Sequence, residues 1–185
     1  MTDPDPPELV RRIGSDPDAF EAFYRRHVAD VGRFVARRVT DPHTAADVTA
    51  EVFLAVIDAA AGYRGGPGGA RGWLFGIARN LAAADRRRHA RDAAKTARIS
   101  GRRLLDTDDI TRAEEQIDAA RRLAALTPGL AALPAGERAV LELVALDGLS
   151  VAEAARVLGI RPGTARVRLH RARRLTTSRP LEARA

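Results

Sequence analysis

"LSVAEAARVLGIRPGTARVRLHRARRL" occupies residues 149–175, and its punctuation decides how this part of the chain folds. Ser150 and Glu153 have the S-x-x-E spacing of a capping box. In such a box the hydroxyl accepts from the Glu153 N–H while the carboxylate reaches back to the Ser150 N–H, which starts a helix. Ala155 is small enough for a second helix to approach closely. Gly159, four residues on, suits the sharp exit turn. Thr164 is expected to cap the helix that follows. A short capped helix, a tight turn and a second helix make a helix-turn-helix.

The second helix, within "GTARVRLHRARRL" (163–175), carries five arginines and a histidine. At about 100° per residue, Ala165, Leu169 and Ala172 share one face, with Leu175 beside them, and form the expected core contact. Arg166, His170, Arg173 and Arg174 lie on the opposite arc, with Val167 among them. Such an arc repels itself unless a polyanion relieves it. Arginine neutralises phosphates or grips guanine with two hydrogen bonds, and Val167 could touch a thymine methyl. Arg161, Thr164, Arg168 and Arg171 complete the candidate set. The sequence does not sort them into base and phosphate contacts, and a solvated charged face is the plain alternative.

The rest of the chain narrows the choice. It has 185 residues and a net charge of +7. Thirty of its 31 basic residues are arginine, a bias that a GC-rich genome would also produce, so position matters more than number. Residues 1–92 carry 14 basic and 13 acidic side chains, and residues 128–185 carry 10 and 5. All eight aromatics, by contrast, lie at or before Phe75. Two differently built halves are implied. The absence of cysteine fits a reducing compartment and removes thiol chemistry, disulfides and cysteine-based zinc sites. His27, His43, His89 and His170 show no metal-ligand spacing, and no cofactor is expected. No stretch approaches the roughly 20 apolar residues of a membrane span. The acidic, proline-rich "MTDPDPPELV" is unlike a signal peptide. A cytoplasmic protein without membrane insertion is expected.

Nearly every periodic segment reads as helix. Helices are expected at 16–27, 28–39, about 43–60, 70–90, 111–126 and 137–148, the last closed by Gly148. "AGYRGGPGGA" (61–70) is a glycine-rich loop without the Gly-Lys-Ser/Thr of a P-loop. "TPG" (127–129) and "LPAGE" (133–137) punctuate the second half. The expected fold is all-α: two small helical domains, at 15–90 and 111–178, joined by a flexible linker at 91–110.

Two faces in the first half carry chemistry. In the helix at 43–60, Asp47, Glu51 and Asp58 fall within about 40° of one another with Leu54 between them, while the remaining surface is suited to burial. A narrow acidic stripe with a central apolar residue suits a basic partner surface, charge steering the encounter and Leu54 making contact. A solvated stripe is the alternative. In the helix at 70–88, Leu74, Ala78 and Leu81 point one way, and Trp73, Arg79, Asn80 and Arg87 cluster on the other arc. Arginine serves phosphates, asparagine can read a base edge, and an aromatic can stack on an unpaired base. Core packing is the competing role for Trp73.

The stretch "LPAGERAVLELVALDGLSVAEAARVLGIRPGTARVRLHRARRL" (133–175) resembles region 4 of bacterial RNA polymerase sigma factors, above all the extracytoplasmic-function (ECF) group. "FEAFYRRHVADVGRFVARRVTDPHTAADVTAEVFLAVIDAA" and "WLFGIARNLAAADRRR" resemble region 2 of the same group. The two blocks stand in family order and cover most of the chain. The resemblance implies an initiation subunit, not an enzyme, that binds core RNA polymerase and promoter DNA. Region 4 would recognise the −35 element; region 2 would open and capture the −10 element. Helix 43–60 would grip the clamp of the largest polymerase subunit. The loop at 63–69 would accept a flipped −10 base, with Tyr63 and Arg64 as candidates. The linker would thread near the active centre, where Asp106, Asp108 and Asp109 could mimic phosphates or simply be solvated. An anti-sigma factor is implied as a further partner. Departures are Ala50, where the family often has Gln, Ala165, where Val or Ile is usual, and "TPG" within an often continuous helix.

Two other classes compete. A stand-alone helix-turn-helix regulator with a LuxR-like C-terminal domain usually adds a dimerising helix, whereas only "TTSRPLEARA" (176–185) follows here. A nuclease or recombinase needs a metal carboxylate cluster or a nucleophile constellation; Asp47 and Glu51 share one helix face, but no third ligand or base is suggested.

Overall fold

The computed structural model describes residues 5–39, 41–100, 130 and 132–177, with the backbone alone for 96–100 and 177. All regular structure among them is helical: α1 (Pro7–Arg12), α2 (Pro17–Ala36), α3 (Pro42–Ala60), α4 (Gly69–Ser100), α5 (Ala135–Ala145), α6 (Val151–Leu158) and α7 (Pro162–Thr177). The expected helix at 111–126, the acidic cluster at Asp106, Asp108 and Asp109, and "TPG" lie outside the described residues.

Aspartate followed by proline starts α2 and α3. Asp16 accepts from the Asp18 and Ala19 N–H groups at 3.0 and 3.2 Å. Asp41 accepts from the Thr44 N–H at 2.6 Å and from the Thr44 hydroxyl at 2.9 Å. These bonds favour the charged form. The Asp16 carboxyl is held below the usual carboxylate range chiefly by the Ala19 N–H, and Asp41 chiefly by the Thr44 N–H.

Several elements differ from the sequence reading. The helices expected at 16–27 and 28–39 are one, α2. Phe23, His27, Val31 and Phe34 form a single buried stripe at helical spacing, so the apolar face never breaks. His27 is held inside by Asp5, whose Oδ2 lies 2.8 Å from Nε2. Helix α4 runs on to Ser100, so residues 91–100, placed in the linker, are helical. "RDAAKTARIS" holds three alanines and no glycine or proline, and its propensity sustains a helix whose residues 91–95 are exposed. Helix α1 is an unexpected element; its signal was Pro7 ahead of Val10, which is buried with the following Ile13.

The first core is aromatic and β-branched. Phe23, Phe34, Val48, Val52, Val56, Leu74 and Phe75 pack among α2, α3 and α4. Phe34 meets Phe75 edge-on at 5.0 Å, and Tyr24 meets Phe53 edge-on at 4.7 Å. Such pairs add about 0.5–1.5 kcal/mol beyond their buried area. The second core is smaller: Val140, Ala155, Ala165 and Leu169, flanked by Leu141, Val144, Val151, Leu158 and Ile160.

The halves touch. Leu143, Leu149, Ala154 and Val157 of the second half belong to the first core's cluster, and α6 rests on α4. Asp147 is buried at this seam. Its Oδ2 accepts from Arg38 at 2.6 Å, and its Oδ1 accepts from Arg38 at 3.2 Å and from the Arg37 Nε at 3.1 Å.

Candidate nucleic-acid and polymerase interfaces

The helix-turn-helix is built as its residues dictate. Ser150 Oγ accepts from the Glu153 N–H at 3.2 Å, and Glu153 Oε2 accepts from the Ser150 N–H at 2.6 Å, closing both halves of the capping box. Gly159 takes left-handed backbone, φ +64°, which a side chain would strain. Ala155 is buried where α7 crosses, and its carbonyl accepts from the Ile160 N–H at 3.0 Å. One local expectation fails. Helix α7 begins at Pro162, and its first bond runs from the Ala165 N–H to the Arg161 carbonyl at 3.1 Å. Proline needs no N–H partner and takes the first helical position, so Thr164 lies inside the first turn and does not cap. Helix α5 likewise ends at Ala145, ahead of Gly148, which turns the chain with φ +65°.

Helix α7 separates its faces. Ala165, Leu169 and Ala172 are buried. Arg161, Thr164, Arg166, Val167, His170, Arg171, Arg173 and Arg174 are exposed. Two residues depart from the expected division. Leu175 is 51% exposed rather than part of the stripe. The 100° rotation brings Thr176 onto the buried face instead, where its hydroxyl donates to the Ala172 carbonyl at 3.1 Å and the Arg173 carbonyl at 2.9 Å. Arg168 is half-buried, and its guanidinium lies over Gly136, where a Cβ would be 3.1 Å from Cζ. It packs against α5 more than it faces outward.

On α3 the buried face is Val48, Val52, Phe53, Val56 and Ala60, while Asp47, Glu51, Leu54 and Asp58 all face solvent. Leu54 is 62% exposed, an apolar side chain between three carboxylates.

On α4, Leu74 and Ala78 are fully buried and Leu81 half-buried, while Arg79, Asn80 and Arg87 are exposed. Trp73 is half-buried, with its ring 4.9 Å from that of Tyr63. Tyr63, expected as a stacking surface, is only 3% exposed. The Arg156 guanidinium lies 5.3 Å over its ring, and the Trp73 ring packs against it. Arg64 is exposed. Gly65, Gly66, Gly68 and Gly69 all have positive φ, so this bend requires glycine.

The seam residues Arg37, Arg38, Arg71, Asp147 and Arg156 were not found by sequence reasoning. Arg71 lies 3.2 Å from Asp30 Oδ2 and 3.5 Å from Glu153 Oε2, and donates to the Gly148 carbonyl at 3.1 Å. Partners so far apart in the chain leave no local signal. Among the described residues, no three His, Asp or Glu side chains gather into a metal-binding group, and no helix is long and apolar enough to cross a membrane.

A basic recognition helix on one unit, and an arginine-aromatic helix with a glycine loop on another, define a DNA-reading factor of two parts. Comparison with known proteins narrows the class. The family model described as "Sigma-70 region 2" matches residues 23–92, and "Sigma-70, region 4" matches residues 124–175. The ECF RNA polymerase sigma factor SigC of Mycobacterium tuberculosis is 39% identical over 156 residues, 84% of this chain and 80% of that protein. SigL of the same species is 34% identical, over 84% of this chain and 86% of that protein. BldN of Streptomyces coelicolor is 33% identical, over 89% of this chain and 62% of that protein. In fold, the chain is similar to CnrH, solved with the cytosolic domain of CnrY (TM-score 0.57, 23% identity, 93% of this chain and 94% of that one). It is also similar to RpoE, solved with the anti-sigma factor NepR from Bartonella quintana (TM-score 0.56, 19% identity, 86% and 94%).

The chain belongs to the ECF group of bacterial RNA polymerase sigma factors. It is a transcription-initiation factor that binds core RNA polymerase and directs it to promoters by their −35 and −10 elements, and a stand-alone regulator is not favoured. Sigma factors are non-catalytic initiation factors.

Proposed function

We propose that α7 reads the −35 duplex, that α4 with the loop at 63–69 captures the −10 strand, and that the α3 stripe holds core polymerase. The observation that carries this reading is the division of α7: its buried stripe seats it on α5 and α6 and leaves a continuous basic arc in solvent. Arg161, Thr164, Arg166, Val167, His170, Arg171, Arg173 and Arg174 are the contact set, with Arg168 a secondary member because of its packing on Gly136. Each arginine that neutralises a phosphate steepens the salt dependence by about 0.9 in log–log slope. One that grips guanine discriminates bases by about 1–3 kcal/mol.

At the −10 element, Arg79 and Arg87 would hold phosphates, Asn80 would read a base edge, and Trp73 with Tyr63 and Arg64 would receive the unpaired base. Drawing a base from the stack costs a few kcal/mol, and stacking on an aromatic returns about 1–3 kcal/mol per base. One or two stacked bases plus phosphate contacts therefore balance the opening. On α3, Asp47, Glu51 and Asp58 would meet a basic clamp surface, with Leu54 as the apolar centre.

The domain division follows: residues 15–90 for core binding and −10 capture, 111–178 for −35 recognition, and 91–110 as connector. The connector's first half continues α4 as helix. The chain itself would catalyse nothing and need no cofactor, and it would work in the cytoplasm, where the polymerase is. The family adds an anti-sigma factor as regulatory partner, the kind of partner RpoE of Bartonella quintana holds in its complex.

Reconstituted transcription tests the reading. The chain and cognate core polymerase are expected to initiate at defined sites on genomic DNA, and core alone is not. A chain that binds core yet never directs specific initiation would overturn it. Specific sub-micromolar duplex binding without polymerase, and no effect on initiation, would restore the stand-alone regulator.

A further inference from the structure

The glycine loop at 63–69 has little of its own to hold it in place. Gly65, Gly66, Gly68 and Gly69 all have positive φ, and glycine loses more backbone freedom than any other residue when it is ordered. A loop that receives a base in one geometry binds it well only if its surroundings fix that geometry beforehand.

Helix α1 supplies such a fixing. The Arg11 guanidinium donates to the Tyr63 carbonyl at 3.3 Å, across 52 residues of chain. Its other amino group donates to Glu8 Oε1 at 3.2 Å, so both arms of the fork are held. Pro7 lies against Gly65, where a Cβ would be 3.1 Å from the Pro7 Cγ. Arg64, Gly66 and Pro67 stay exposed, so α1 holds the loop without covering its crest.

Helix α1 is in turn fastened to the first unit. Val10 and Ile13 are buried in the first core. Ahead of the helix, Asp5 is only 1% exposed; its carboxylate pairs with Arg26 and lies 2.8 Å from His27 Nε2. Beyond the helix, a Cβ on Gly14 would be 3.0 Å from the Ile57 carbonyl oxygen, which sets the turn against the backbone of α3. Arg156 also donates to the Gly65 carbonyl, at 2.8 Å, but from α6 of the second unit. The brace that belongs to the loop's own unit is α1.

We propose that residues 5–14 buttress the −10 loop, and that Arg11 and Pro7 are positioning residues for capture of the unpaired base. They act through the Tyr63 carbonyl and Gly65 and touch no DNA. This rests on the assignment of the loop at 63–69 given above. One net hydrogen bond changes the population of a placed loop about fivefold, and the apparent affinity for the strand falls with that population.

The test compares the parent with Arg11→Ala and Arg11→Lys, each as the free full chain and as holoenzyme. The Arg11 side chain is 43% exposed, so neither change opens the core. The probes are the non-template single strand of a promoter mapped by sequencing holoenzyme transcripts, and the same strand made abasic at each −10 position in turn. Anisotropy reads strand binding by holoenzyme, and amide hydrogen exchange reads the loop in the free chain. At the position where the parent discriminates most, R11A is expected to bind the intact strand about fivefold more weakly and the abasic strand as the parent does. Exchange at 64–69 is expected to quicken in R11A while α2 amides stay protected, and core capture and −35 duplex binding are expected to stay within twofold. R11K keeps a donor and should return both readouts toward the parent. A direct phosphate contact would behave otherwise: R11A would weaken both strands alike and reduce the log–log salt slope by about 0.7. That result, or unchanged discrimination or unchanged loop exchange in R11A, would overturn the proposal. Were R11A to lose α2 protection, Pro7→Ala decides alone: it should quicken loop exchange and narrow discrimination, and no change in either overturns the proposal. Should the parent holoenzyme bind intact and abasic strands alike at every position, the −10 assignment fails, and this inference with it.

Discussion

Leu169→Ala and Arg166→Ala, three residues apart on α7, should fail in opposite ways. Leu169 is buried in a cluster whose other fully buried members are Val140, Ala155 and Ala165. Truncation to alanine removes three carbons, about 2.4 kcal/mol at ~0.8 kcal/mol each. Two of the three neighbours are already alanine, so little side chain can collapse into the gap, and a cavity cost brings the total to about 3 kcal/mol. At a urea dependence of ~2 kcal/mol per molar, the midpoint should fall by about 1.5 M. Arg166 is exposed and rests on no buried neighbour, so R166A should change stability by less than about 0.5 kcal/mol. Its loss should appear only with DNA. If Arg166 holds a phosphate, the log–log salt slope for a −35 duplex shrinks by about 0.9. If it holds a guanine, affinity falls by about 1–3 kcal/mol and specificity relaxes at one base pair. Urea titration of each variant, with duplex anisotropy at several salt concentrations, separates the two. The division of α7 is refuted if L169A unfolds at the parent's midpoint, or if R166A, equally stable, keeps both affinity and slope.

Three further outcomes are expected. Leu54→Asp should weaken core polymerase binding at least tenfold and leave duplex binding alone, since Leu54 is 62% exposed and lies on the first unit; unaltered capture of core in a pull-down would remove Leu54 from the interface. Ser150→Ala should cost about 1 kcal/mol by opening the capping box, read as a lower urea midpoint, whereas a neutral result would mean the cap is already redundant with the seam. Asp16 and Asp41 are depressed in the folded chain, so their stabilisation is complete above the ordinary value of 3.8 and is lost as pH falls through the folded values below it. An Asp16→Asn/Asp41→Asn chain keeps an acceptor at each cap but no titration, and its stability should fall less steeply below about pH 4; parallel acid curves for the two chains would show that these caps do not contribute.

What was legible in the sequence was whatever local chemistry decides. Ser150, Glu153 and Gly159 act within a few residues of themselves, and each behaves as its spacing implies. The Asp47–Glu51–Leu54–Asp58 stripe needs only helical rotation, and all four residues are exposed. Errors arose where a local signal had two readings. Thr164 could cap a helix, but Pro162 could begin one earlier, and the fixed φ of proline prevailed. The helices expected at 16–27 and 28–39 are one, with His27 held in the core by Asp5, 22 residues away. Helical rotation placed Leu175 beside the buried stripe, but it lies at the edge of that face and is 51% exposed. The seam had no local signal at all: Asp147 meets Arg38 and Arg37 across 109 and 110 residues, and single charges in an arginine-rich chain advertise no partner.

The chemistry of the seam bears on how readily it could part, and in what order. A carboxylate buried between two guanidinium groups gains little over the same three charges in water, because desolvation offsets their attraction. Opening the Asp147 cluster is therefore close to neutral, and the resistance comes from re-exposing Leu143, Leu149, Ala154 and Val157. Helix α6 carries its own cap, since Ser150 and Glu153 close it within the second unit. If the α3 stripe is the polymerase contact, as proposed, it is exposed while the seam is closed and can be engaged before the units separate. Preventing separation with a cross-link across the seam should then leave core binding intact and abolish promoter opening. Loss of core binding in the cross-linked chain would show that docking requires the units to be apart.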